Sequence, residues 1–101
     1  CGRYKVLYAS DNVSYTLFVI ERITTPHLHE KTKEVYDILR GSGIIRIGQE
    51  SEEVGPGDRI VIPRGMVHQI IPQDGPLRMR VLAEPIFDSS DVIERPDYYN
   101  S

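Results

Sequence analysis

The sequence predicts an all-β fold, an antiparallel sandwich or barrel, on three observations. Segments such as Val13–Ile23 and Gly43–Ile47 are rich in the β-branched and aromatic residues that fit a pleated, half-buried surface. Turn-forming clusters interrupt the chain about every eight to twelve residues, the rhythm of short paired strands rather than of strands alternating with helices. No window of useful length has a helical period. The nearest candidate, Glu30–Leu39, fits it poorly and is cut short by Gly41 and Gly43.

Taken in order, Asp11-Asn12 reads as a turn, and Pro26 breaks the apolar run that follows. Gly41-Ser42-Gly43, Gly48-Gln49, Gly55-Pro56-Gly57-Asp58 and Pro63-Arg64-Gly65 are further turns. Arg59–Ile62 is a short strand between the last two, and His68 opens the next strand. Asp74-Gly75-Pro76 is another turn, and Leu77–Ala83 is the last clear strand. The polar tail Pro85–Ser101 is expected to wrap the barrel surface, with a short turn near Asp88–Val92. At 101 residues, the expectation is a single domain over 1–101.

Composition excludes several classes of function. A formal net charge of −3 with scattered basic residues argues against nucleic acid, whose phosphates call for dense Lys/Arg stripes. No segment approaches the ~20 apolar residues of a membrane span, and no signal peptide is visible, so the expectation is a cytoplasmic protein. The single cysteine, Cys1, cannot form an intrachain disulfide and reads as a frayed terminus.

The chemistry gathers between Thr25 and Gly41. His27 and His29 are two apart, so on a strand both imidazoles point to one face, about 7 Å apart along the backbone. Pro26 favours extended backbone before them. Glu34 has the wrong parity to share that face on an unbroken strand, and a bend near Glu30–Lys33 is needed to aim it inward. In a closed barrel His68, from a distant strand, can complete a set of three imidazoles and one carboxylate, a good donor set for a borderline divalent ion.

From His27 to Gly41 the chain reads H-x-H, four residues, E, six residues, G; from Gly57 to His68 it reads G, five residues, P-x-G, two residues, H. These two motifs, in this order, resemble the signatures of the cupin superfamily over roughly Thr25–Ile71. The resemblance implies a small antiparallel jelly-roll barrel, or double-stranded β-helix. It further implies one divalent metal ion (iron, manganese, nickel, copper or zinc) held by His27, His29, Glu34 and His68. One departure is Pro72, where the second motif often has Asn. Gly41, Gly43, Gly57 and Gly65 read as structural positions that need positive φ or close backbone approach.

Around that set, Tyr36 and Ile38 share parity with Glu34 and should line the same interior, with Tyr36 a candidate proton donor; Val35 and Leu39 should face outward. Arg46, Arg78 and Arg80 are candidates for a cationic wall, against the plainer reading of solvated outer residues. Gln69 should point away from the site, and Met66 reads as rim or packing. The apolar N-terminal strands need cover, from a second copy in a homodimer or from the tail. The functional expectation is a metal-dependent enzyme acting on a small oxygen-rich metabolite such as a sugar derivative or keto-acid, isomerase-like or dioxygenase-like. The alternative is a non-catalytic module that binds or senses a small molecule in the same barrel.

Overall fold

The computed structural model describes residues 2–86 and 88–100. Cys1 lies outside them. Eight strands run β1 (Gly2–Ala9), β2 (Ser14–Ile20), β3 (His27–His29), β4 (Lys33–Ile47), β5 (Glu50–Val54), β6 (Arg59–Ile62), β7 (His68–Glu84) and β8 (Val92–Glu94). All pairings are antiparallel: β1 on β2, β2 on β7, β3 between β7 and β8, and β4 against β5, β6 and β7. The sheet curls on itself into the expected all-β barrel.

Two expected turns are absent as turns. Gly41-Ser42-Gly43 lies inside β4, and Asp74-Gly75-Pro76 lies inside β7. The two strands pair along nearly their whole lengths, so the ladder resumes beyond each irregularity and the chain kinks instead of reversing. The register shifts between Ile38 and Ser42, and φ is positive at Gly41 (88°), Asp74 (57°) and Gly75 (110°). Each kink also switches which parity faces inward. In β4 the buried side chains are Glu34, Tyr36 and Ile38 before it and Ile45 after it. In β7 the inward row is His68 and Ile70 before it and Leu77, Met79, Val81 and Ala83 after it. A bulge of this kind adds bend and twist, which a sheet needs in order to close.

The core is built from these inward rows. Ile38, Ile45, Ile62, Leu77 and Met79 are all less than 2% exposed. Each buried side chain of this size stabilises by roughly 1.5–3 kcal/mol relative to exposure. Val35 is only half-buried and Leu39 is exposed, as their parity requires.

The tail does more than wrap. After a 3-10 turn at Ser89–Asp91, β8 adds a strand beside β3, and Arg95 N–H donates to the Pro26 carbonyl at 2.7 Å. Farther on, the Tyr99 ring sits under the Arg46 guanidinium, 4.9 Å from its centroid. This path leaves the edge strand β1 largely uncovered, with Tyr4, Val6, Leu7 and Tyr8 all at least half exposed. No helix among the described residues is long and apolar enough to cross a membrane.

Gly41 is the sharpest test of the kink. Its backbone is left-handed, and a Cβ there would run into the Pro76 carbonyl oxygen. Gly41→Ala is expected to destabilise the protein by roughly 2 kcal/mol or more. Urea unfolding checks this, and an unchanged midpoint would show that the kink tolerates a side chain.

Candidate metal centre

The register of three strands assembles the site. His27 lies directly opposite His68 of β7 on one side and Glu94 of β8 on the other. Residues directly opposite in antiparallel strands face the same way. His27 and His68 therefore stack inward with ring centroids 4.2 Å apart. His29, two residues on, faces the same side, 5.2 Å from the His27 ring and 5.4 Å from that of His68. The three imidazoles bring one nitrogen each to within 4.8 Å of one another.

Glu34 reaches the group from β4 after the bend that the sequence requires. The Asp91 carboxylate accepts the N–H groups of Glu30 (3.2 Å) and Lys31 (2.9 Å), and the His29 carbonyl accepts Gly65 N–H at 2.7 Å. A residue of the tail and the Pro63-Arg64-Gly65 turn thus hold the bend from opposite sides. Glu34 Oε1 lies 3.2 Å from His29 Nε2 and 3.4 Å from His68 Nε2, and it accepts the Tyr36 hydroxyl at 3.1 Å.

Two outer ring nitrogens are tied to the backbone. His27 Nδ1 donates to the Thr25 carbonyl at 2.8 Å, and His68 Nδ1 donates to the Met66 carbonyl at 3.1 Å. Asp91 lies beside His29 and favours its charged form. A carbonyl only accepts, so the Nδ1 of His27 and of His68 carries the proton, and Nε2 keeps its lone pair for the interior. His68 Nε2 is buried and has no hydrogen-bond partner; its approach to Glu34 falls short of one. A buried acceptor in that state is costly unless something electropositive faces it. Three imidazoles beside a carboxylate, two of them with the second nitrogen held by the backbone, fit a divalent cation.

Electrostatics divide the three rings. Burial, followed by the neighbouring His68, lowers the His27 pKa to about 4, so that ring is neutral at ordinary pH. Burial also works against charge on His29, but the Glu34 carboxylate and Asp91 outweigh it and raise that pKa above its usual value. Glu34 loses solvation too, yet its contacts with His29 and His68 hold it well below the carboxylate range, so it stays ionised. Burial, reinforced by Glu34, pushes Tyr36 well above a free phenol, so it keeps its proton.

His27 and His29 open into a cavity of about 480 Å³ with an apolar wall that includes Phe18, Ile20, Ile70 and Met79. Tyr36 lines it as expected. The three arginines weighed as a cationic wall do not. Arg78 is exposed, Arg46 covers Tyr99, and Arg80 joins Arg59 on Asp37 at 3.0 and 2.7 Å on the outer face. Their alternation with the buried residues of β4 and β7 turns them outward. Arg59, followed by Arg80, holds the Asp37 carboxyl below its ordinary value. Gln69 is buried away from the cavity on the Thr24 carbonyl, and Met66 packs over Gly48.

Sequence reading missed four residues. Val92 and Glu94 line the cavity from the tail strand, and Thr24 and Thr25 line it ahead of β3. The alternation Val92-Ile93-Glu94 was visible, but nothing local in it specifies β3 as its partner.

A small antiparallel barrel with an inward histidine cluster is the class these features define. Residues 17–83 match the cupin domain family, and the chain belongs to that family. An uncharacterized protein of Streptomyces coelicolor is 28% identical over 88 residues, covering 83% of this chain and 81% of the relative. Among solved structures, KdgF from a Halomonas species superposes with a TM-score of 0.82 at 20% identity, over 88% of this chain and 83% of that one. Streptomyces Pac13, described as a nucleoside dehydratase, does so with a TM-score of 0.78 at 18% identity, over 92% and 77%. At these identities the structural likeness is one of fold.

The two histidine shifts make opposite contributions to stability in metal-free protein. The raised His29 value stabilises below ~6.5, and that contribution fades as pH rises through the folded value. The lowered His27 value costs stability as pH falls from ~6.5 toward about 4, where the unfolded chain binds a proton that the folded one refuses. Ring NMR titration of metal-free protein should show His27 titrating near pH 4 and His29 above the free value. Coincident titration of the two rings would contradict this electrostatic division.

Proposed function

We propose that this chain holds one divalent metal ion with His27, His29, His68 and Glu34 and uses it on a small oxygen-bearing metabolite. The observation that carries this reading is the meeting of three imidazole nitrogens within 4.8 Å, with Glu34 Oε1 against two of them, beside a cavity of about 480 Å³. A bound ion supplies Lewis acidity toward a substrate oxygen. The chain supplies the rest. The apolar wall excludes water, and the backbone carbonyls fix His27 and His68. Tyr36 holds a proton 3.1 Å from Glu34 and is the proton donor of this reading.

Isomerisation of a sugar derivative and oxygenation of a small acid or diol are the reactions in view. Pac13 lends support to a hydroxylated substrate, because that similar barrel has been determined with uridine. Purified protein is expected to carry close to one divalent ion per chain by elemental analysis, and His27→Ala combined with His29→Ala to lose it while circular dichroism still reports a β fold. Full metal retention by the double variant would sink the ligand set. Turnover is tested on a metabolite panel with an oxygen electrode; tight binding with no conversion would favour the non-catalytic module.

We also propose that β1 is covered by a second copy of the chain. This edge strand pairs on one side only, with β2, and leaves Tyr4 70% and Tyr8 56% exposed. Sedimentation velocity is expected to give a dimer for the native chain and a monomer for Val6→Lys combined with Tyr8→Lys; a native monomer would contradict the proposal.

A further inference from the structure

The cavity beside the histidines has no Lys or Arg in its lining. All twelve Lys and Arg residues of the chain are among those described, and none lines it. Several are engaged elsewhere: Arg3 with Glu21, Arg59 and Arg80 with Asp37, Arg64 with the carbonyls of Lys31 and Glu84. Apart from His27, His29, Glu34 and Tyr36, the lining is instead largely apolar, with Phe18 and Ile23 in it, and its other polar groups are neutral or acidic: Tyr4, Thr24, Thr25 and the carboxylate of Glu94. Glu94 is there because it is register-paired with His27, so it stands on the same face of the sheet, where its side chain is exposed to solvent at the cavity.

This lining discriminates by charge. A phosphate or carboxylate in this part of the cavity would lose its hydration without gaining a cationic partner, and it would face Glu94 as a like charge. A hydroxyl loses much less and finds acceptors in Glu94 and the threonines. We propose that the cavity selects uncharged, hydroxyl-bearing molecules with an apolar face and rejects those that place an anionic group beside Glu94, which sets that selectivity. The inference rests on the metal-site reading for which end of the molecule meets the histidines, and it narrows the sugar derivatives in view to unphosphorylated ones.

Catechol and 3,4-dihydroxybenzoate, which differ by one carboxylate, provide the test. Each is titrated by calorimetry into zinc-loaded protein and, as reference, into zinc ion alone, and zinc content is measured on the same protein sample. Relative to the reference, catechol is expected to bind at least about tenfold tighter than its carboxylated analogue, the scale of one unfavourable like-charge contact. Glu94→Lys is expected to remove most of that preference with zinc content unchanged. Equal or tighter binding of 3,4-dihydroxybenzoate by the native protein overturns the charge selectivity, and an undiminished preference in Glu94→Lys overturns the role of Glu94. Should the sample hold no zinc, the metal-site reading fails separately. The same pair is then compared on the metal-free cavity, where the same order is expected and its reversal overturns the inference.

Discussion

The site depends on where a strand of three residues is clasped. β3 has a long strand, β7, on one side and the short tail strand β8 on the other, and its register places His27 between His68 and Glu94. Side chains alternate across a strand, so a slip of one residue would turn both His27 and His29 away from the cavity. Three residues of ladder cannot resist that alone. Other bonds hold the position: Gly65 N–H on the His29 carbonyl, Arg95 N–H on the Pro26 carbonyl, and Thr24, whose N–H donates to the Ile70 carbonyl and whose hydroxyl accepts Ile70 N–H. Segments far apart in the chain meet at this short strand.

The same alternation separates two electrostatic environments a few ångströms apart. Along β4, Glu34 and Tyr36 face an interior where burial works against charge and each ionised group leans on a neighbour. Asp37, the next residue, faces outward and joins Arg59 and Arg80 in an ion-pair cluster screened by water. The cations of the chain sit on the outer surface, and the cavity holds imidazoles, carboxylates and hydroxyls among apolar residues. Such an interior suits a compact cation, and the buried Nε2 of His68, which has no hydrogen-bond partner, is the atom that bears on this most directly.

Closing the sheet has its own cost. β4 and β7 serve both ends of the barrel, and each kinks partway along and changes the parity of its inward row. Gly41 and Gly43 make this feasible for β4: one adopts positive φ, and at both the neighbouring strand approaches too closely for a side chain. Pro72, which lies opposite Gly43, is accommodated within that paired region.

Much of this was legible in the residues themselves. Strand-forming composition and turn rhythm indicated the all-β fold, the H-x-H spacing placed two imidazoles on one face, and the parity of Tyr36, Ile38, Val35 and Leu39 predicted their burial correctly. These are local properties, fixed by the two-residue period of a strand and by the φ that glycine allows. What sequence reading got wrong depended on a partner. Gly41-Ser42-Gly43 and Asp74-Gly75-Pro76 look like chain reversals until a neighbouring strand carries the ladder across them. Val92–Glu94 looks like surface tail until β3 pairs with it, and whether Arg80 met a ligand or Asp37 was open until the sheet closed. Amino-acid order alone determined which residue types were available and which could share a face. Only the tertiary structure decided which faces met, because pairing between distant strands is chosen by the closure of the whole sheet.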